Sequence, residues 1–565
     1  MPPWYSRAIA PSLPSRTLQH KVLSMLTTRP LAVDPSPARI ASRANASARI
    51  APRALGHAFI AGIAADLLLR DGPIGVGYAI WIAIAALSLI SLSWRAHRDV
   101  PTESATWLLV AFVSACGLAW RDSGMLHFLD VLATAGALGV AAIALGNPSA
   151  ALSAERFRDT IWAGIAAIRV IAAGIFPNLA HAIHDAAAQA SWESQTRRTI
   201  RSGLIAISVL VVFGSLLRSA DPIFASLVQI PEFNPGIILS HVFVAGWFAW
   251  LLGGWANAAL GSTVASVRAP HRLPLTLSKQ DLSASLGVLN VLFAAFMLAQ
   301  LGWLFGGEGF LRARTGLTAA EYARHGFFEM VWVVALVVPL LVFSRAALAP
   351  TRDSARRHTV LSLPMIALVV GIIVSAAGRM QLYVHFYGLT VDRFYPLVFM
   401  AWLIAIVCWL ALTVLRNRGR SFIAGVASSA FAVLVALNVA APDAIVARFN
   451  ANRTHHGDEA VGADLRQMSE LSGEAVETAL GVILAPPRVA GGTLARPEEE
   501  RSRCDAARNL LRRWGPSSHA AQRSADDAAW RTWNYGEQRA LQAISAHTVA
   551  LLKVEHSACA ALPND

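Results

Sequence analysis

Apolar residues in this chain run continuously for about 20 positions at a time, with neither the alternation of a half-buried strand nor the single stripe of a soluble helix. The stretches lie at about 54–69, 74–93, 104–120, 125–146, 202–218, 237–260, 283–305, 327–349, 360–378, 395–415 and 421–440. At 1.5 Å per helical residue each approaches the thickness of a bilayer's hydrocarbon core. Continuous runs argue against a β-barrel, whose strands alternate. The pattern predicts an all-α fold: a polytopic transmembrane helical bundle of about 11 spans with a small C-terminal extramembrane helical domain. The first run is short and is expected to pair with the second as a hairpin through the turn-forming string Arg70, Asp71, Gly72, Pro73.

The polar segments divide the chain. Residues 1–53 are rich in Arg, Ser, Ala and Pro, with Asp34 the lone acid, and read as a basic, disordered cytoplasmic leader without the apolar core of a signal peptide. Residues 54–146 hold the N-terminal spans and 201–440 the core membrane domain. Between them, 147–200 is a cytoplasmic connection whose apolar stretch 161–176, interrupted by Arg169, suits a membrane-surface helix. Residues 441–565 turn polar and form an extracytoplasmic helical C-terminal domain, with helical stretches at 464–483, 496–514 and 526–554 and a Pro/Gly linker at 485–492. Alternate loops carry Arg95 and Arg98; Arg156, Arg158, Arg197, Arg198 and Arg201; Arg268, Arg272 and Lys279; Arg345, Arg352, Arg356 and Arg357; Arg416, Arg418 and Arg420. By the positive-inside rule these loops and the N-terminus are cytoplasmic and the C-terminal region is extracytoplasmic.

Composition agrees. Only 15% of residues are charged and mean hydropathy is +0.49, whereas soluble domains carry about 25% charged residues. The net charge of +13 would suggest nucleic acid in a soluble protein; here Arg-rich loops facing anionic headgroups account for it, and no nucleic-acid motif accompanies it. The expected partners are membrane lipids and an envelope protein. Of four cysteines, Cys116 and Cys408 fall in apolar runs, while Cys504 and Cys559 lie in the polar tail and either pair as a disulfide or stay free thiols. No metal-ligand spacing and no cofactor or catalytic fingerprint occurs.

Several strings carry a resemblance: DPIF at 221–224, VLNVLFAAF at 288–296, GLTAAEYARHGFFE at 316–329, LYVHFYGLTVDRFY at 382–395 and NVAAPDAIVARFN at 438–450. In order and spacing they resemble a family of bacterial inner-membrane proteins known as a domain of unknown function (the DUF4153/DUF4173 type). The resemblance covers roughly 200–480, with a looser fit before 200 and a tail beyond about 485 particular to this chain. It implies a polytopic membrane protein and brings no catalytic residues.

The string at 316–329 places charges and aromatics just before an apolar run. Thr318 and Glu321 have the capping-box spacing, and Thr390 in a second Gly-Leu-Thr is expected to cap the next helix. His325 and Glu329 are four apart and would share a helical face. Outward loops should be poor in Arg, yet Arg324, Arg393 and Arg448 lie on them together with Tyr383, Tyr387 and Asn450. Headgroup anchoring is one account. The other is a ligand site, Arg324, Glu329, Tyr383, Tyr387, Arg393, Arg448 and Asn450, for an anionic lipid or small solute, since guanidinium groups grip phosphate and carboxylate. That reading makes the chain a protein of transport or envelope sensing. The alternatives are a membrane-embedded transferase or hydrolase on a lipid-linked substrate, using Glu321, His325 or Glu329, and an envelope scaffold or assembly factor acting through the C-terminal helices.

Overall fold

The computed structural model describes residues 37–70, 72–147, 157–180, parts of 202–213, 235–261, 264, 278–315, 327–348, 351–413, 422–455, 465–485, 497–526 and 529–560. Among these, every regular element is a helix. The helices are α1 (Pro37–Leu69), α2 (Val76–Arg95), α3 (Thr102–Trp120), α4 (Gly124–Gly146), α5 (Phe157–Ala173), α6 (Pro235–Leu260), α7 (Lys279–Thr315), α8 (Phe327–Ala347), α9 (Arg352–Tyr387), α10 (Val391–Thr413), α11 (Phe422–Ala440) and α12 (Pro442–His455). A C-terminal group follows: α13 (Leu465–Glu470), a 3-10 turn (Gly473–Ala475), α14 (Val476–Ile483), α15 (Pro497–Trp514), α16 (His519–Ser524), α17 (Ala529–Thr532) and α18 (Tyr535–Ala560).

Among the described residues, eight helices are long and apolar enough to cross a membrane, against the eleven expected. They lie in α2, α3, α4, α6, α7, α9, α10 and α11. The expected run 54–69 belongs to α1 and is not one of the eight; the run 327–349 forms the helix α8. The run 202–218 lies mostly outside the described residues. Two further expectations change. Residues 37–53 are helical and continue into α1. Their Ala- and Arg-rich sequence favours helix, and adding residues to a helix already formed costs little compared with starting one. The second concerns the stretch 161–176: α5 buries Ala163 and Ala167 beside Leu252 and Trp255 of α6, a packing contact added to the expected surface helix, whose apolar length, Trp162–Ala173, falls short of the eight spans.

Packing follows the rules of a nonaqueous solvent. Large apolar side chains face outward, among them Phe59, Leu87, Phe128, Phe243, Val291 and Trp332. Small hydroxyls face inward: Ser88, Ser104, Ser114, Thr134, Ser362 and Ser375 are buried. They let helices approach closely, and Ser104 and Thr134 find backbone carbonyls there. Ser104 donates to the Ala141 carbonyl at 2.9 Å, joining α3 to α4. Asn290 donates to Leu361 O at 2.9 Å, joining α7 to α9.

Two core clusters result, one within α1–α6 and one centred on α7–α10. They meet where α11 lies against α3 and α4. One end of the bundle carries the basic residues Arg95, Arg98, Arg345, Arg352, Arg356 and Arg357. The other end carries the turns at 121–123, 388–390 and 441, and the C-terminal helices sit on it. Their core takes in Val384 and Leu389 from the spans as well as Val476, Leu480, Leu510 and Ile544, so one apolar layer runs through the junction. Cys504 of α15 and Cys559 of α18 form a disulfide.

A short strap fastens this cap to the N-terminal helices. Arg531 donates to Leu67 O at 2.6 Å, Trp533 O accepts from the Val76 N–H at 3.1 Å, and Asn534 donates to Leu118 O at 2.7 Å. The Asn534 Oδ1 also accepts the Glu537 N–H at 3.0 Å, starting α18. Two helix ends, at Leu67 and Leu118, and two helix starts, at Val76 and Glu537, therefore share four consecutive residues, 531–534.

Candidate functional site

The residues singled out on the outward loops do not all come together. Arg324, Thr318 and Glu321 lie outside the described residues, as does His325, and of Glu329 only its place in α8 is described. Tyr383, Tyr387 and Arg393 do meet. The Arg393 guanidinium stands 4.2 Å over the Tyr383 ring, the two tyrosine rings are 5.0 Å apart, and Arg393 donates to the Tyr387 carbonyl at 2.9 Å and to that of Gly388. Asn450, from α12, grips the same turn: it accepts the Leu389 N–H at 2.9 Å and donates to the Leu389 carbonyl at 2.7 Å. Gly388 has φ 75°, a conformation that favours glycine, and a Cβ there would lie 2.9 Å from Asn450 Oδ1. This group holds the turn between α9 and α10. Arg448 is exposed on α12. The Thr390 carbonyl accepts the Phe394 N–H at 2.9 Å, which puts Thr390 at the N-cap of α10.

A different constellation sits at the junction between bundle and cap. Its centre is the turn at 472–474, whose N–H groups open a helical segment and so favour negative charge. Asp443, at the start of α12, accepts the Ser472 N–H at 3.1 Å. Asp122, in the turn between α3 and α4, accepts the Gly473 N–H at 2.9 Å. In return, Glu474 accepts the Asp122 N–H at 2.7 Å and the Ser472 hydroxyl at 2.5 Å. Three carboxyl groups from three distant parts of the chain thus close on one turn. Beneath them, six residues and about 9 Å into α4, Asp130 is 1% exposed. The Asn438 amide of α11 lies 3.2 Å from each of its oxygens. Tyr395 is buried close by, its phenol beside Ser123, Asp443 and Asp130. Arg121 closes the edge by donating to the Asn438 carbonyl at 2.6 Å, the kind of contact that suits the carbonyl end of a helix.

The electrostatics decide what this seam can do. Burial is the largest influence on Asp122 and pushes its carboxyl up to about 7; Glu474 and Glu537 push the same way, while the Gly473 N–H and Arg513 oppose. Asp443 is also raised, again by burial first, with Glu474 adding and the Ser472 bonds opposing. Desolvation here outweighs the hydrogen bonds, so Asp122 takes up a proton near neutrality. Among the described residues no group of three or more His, Cys, Asp or Glu has an arrangement able to hold a metal ion.

The turn tolerates no added bulk. A Cβ on Gly473 would lie 2.5 Å from the Gly536 carbonyl, which is backbone and cannot swing away. Gly473→Ala is expected to cost about 1–3 kcal/mol and to raise amide exchange at 472–476 selectively. Unchanged exchange there would mean that the seam is looser than its geometry.

No curated protein and no solved structure matches this chain. The profile of the domain of unknown function DUF4153 matches residues 108–480, beginning well before the position near 200 where the sequence strings start. Asp122, Asp130, Asp443 and the turn at 472–474 all fall inside that span, whereas the strap at 531–534 and its partners at 67–76 fall outside it. The chain belongs to the DUF4153 family.

Proposed function

We propose that this chain is an integral inner-membrane protein that senses conditions outside the cytoplasm, with the C-terminal helices as an extracytoplasmic cap and the carboxyl seam as the coupling between cap and bundle. The single observation that carries this reading is the convergence of Asp122, Asp443 and Glu474 on one buried turn. Three ionised carboxylates there repel one another in a low dielectric, so protons bind and the fit of the cap depends on proton activity. Asp130 and Asn438 continue the polar contacts into α4 and α11. An ionisable residue at that depth in a span is costly and marks function more often than packing. Two observations support the sidedness. The basic residues lie at the far end of the bundle, which the positive-inside rule makes cytoplasmic. The disulfide lies at the cap end, as an oxidising compartment would allow.

The sign of the pH effect is fixed by the direction of the shift. A carboxyl whose folded pKa lies above its unfolded value binds more protons when folded, so stability falls as pH rises from the unfolded value, near 4, to the folded one. For Asp122 that window closes at about 7. The charged groups that face them are Glu474, Glu537 and Arg513 for Asp122 and Glu474 for Asp443. Amide exchange at 465–485 in the full chain is expected to rise between pH 5 and 8 by an amount corresponding to about 2 kcal/mol, halved from the full shift for partial exposure. Asp122→Asn should flatten that slope. A pH-independent cap, or one that tightens as pH rises, would sink the proposal.

A second reading keeps an anion at the outward end. Arg393 stacked over Tyr383 is the observation that favours it: a guanidinium held on an aromatic face keeps part of its edge for a phosphate or carboxylate. Loss of lipid or solute binding in Arg393→Gln, with the pH response of the cap intact, would select this reading over the first.

A further inference from the structure

The cap carries a cleft that the seam does not use. It lies between α16 and α18, is open to solvent with a volume of about 300 Å³, and is lined by Trp514, Ala521, Ser524, Gln538, Leu541 and Gln542 among others. Residues 538, 541, 542 and 545 follow the spacing that puts side chains on one helical face. This face of α18 therefore supplies two carboxamides and the Ser545 hydroxyl along one wall. Trp514 ends α15 and lines the cleft with 6% of its surface exposed. Its indole Nε1–H has no acceptor among the described residues. A buried indole N–H normally has a partner, and one left without costs about 1–3 kcal/mol.

Among the described residues, none that lines the cleft is charged. The neighbouring charges are spent elsewhere: Arg513 on the Ser469 and Leu471 carbonyls, Arg523 on Glu537, and Arg539 on Glu477. A net anion or cation would find no counter-charge here. The volume stands at the lower edge of small-ligand sites, about 300–1,000 Å³. A docked helix would need a row of apolar anchors and an extended peptide a free sheet edge, and the cleft offers neither. Carboxamides and hydroxyls both donate and accept, which matches a ligand whose hydroxyl groups do the same.

We infer that the cleft between α16 and α18 binds a neutral, polyhydroxylated ligand of the saccharide class, with Gln538 and Gln542 pairing its hydroxyls and the Trp514 N–H donating to one of its oxygens. The inference does not rest on the proton reading of the seam, because the two sites share no residue.

The test is calorimetric titration of the full chain, held in a detergent without a sugar headgroup, with a neutral N-acetylated disaccharide, with maltose, with an acidic uronic disaccharide and with a neutral dipeptide. At least one neutral disaccharide is expected to saturate below ~10 mM, a weak but specific affinity. Gln538→Ala with Gln542→Ala should weaken it at least about tenfold. Trp514→Phe, which keeps a ring and removes the N–H, should weaken it several-fold, and a melting curve for each variant establishes that the cap remains folded. Absence of saturable binding by either neutral sugar overturns the inference, as do equal affinity in a folded double variant and preference for the acidic sugar or the dipeptide.

Discussion

Replacing Asn438 by Leu is expected to destabilise the bundle by about 1–3 kcal/mol, because removing one member of a buried polar pair leaves the other unsatisfied. Asn438 is the residue through which α11 reaches α4: its amide faces both oxygens of Asp130 at 3.2 Å and also donates to Leu434 O at 3.1 Å. Leu matches the amide in size and supplies no donor, so the Asp130 carboxyl would sit among apolar neighbours without that bond. The measurement is the unfolding midpoint of the full chain in a mild detergent, with Asp130→Asn and the double variant completing a cycle. A coupling of at least about 1 kcal/mol between the two positions is the expected result. If Asn438→Leu melts within error of the parent, the pair contributes nothing to the contact between the two halves, and the route from the seam into the membrane loses its first step.

The membrane architecture could be read directly from the chain, because a span's signal is local. Some 20 consecutive apolar residues need no knowledge of their neighbours to be recognised. Span counting was harder where a helix outlasts its apolar run. In α9 the helix covers Arg352–Tyr387, capped by Thr351 accepting the Ser354 N–H, well beyond the run at 360–378. The break before α18 also escaped the sequence reading, since a single asparagine that both caps a helix and grips Leu118 leaves no periodic trace.

The seam divides in the same way. Asp130 and Asn438 carried a readable signal, a carboxyl and an amide inside apolar runs. The sequence reading favoured Arg and Tyr instead, because exposed loops are where ligands are usually met. Asp122 and Gly473 carried none: they are 351 residues apart, and only the tertiary fold brings them together. The strap shows the limit most clearly. Residues 531–534 and 67–76 both fall outside the family match, yet they hold one another, so the two segments form one device at the membrane end of the cap.

Breaking the Cys504–Cys559 disulfide is expected to loosen the cap by about 4 kcal/mol, the loop-closure entropy for a separation of 55 residues. What remains between α15 and α18 is the packing of Ala506, Ala507 and Leu510 against Ile544 and Leu551, together with the exposed ion pair of Arg508 and Glu555 at 3.2 Å, a contact worth little in water. Cys504→Ser should therefore lower the unfolding midpoint and open α15 to proteolysis while the spans stay protected. The same bond gives an independent test of sidedness. In freshly isolated, denatured protein, Cys116 and Cys408 should react with a maleimide at once, and Cys504 and Cys559 only after reduction. Four reactive thiols without reductant would place the cap in a reducing compartment. The positive-inside assignment would then stand against the chemistry of its own outer end, and an extracytoplasmic sensor could not be built on this fold.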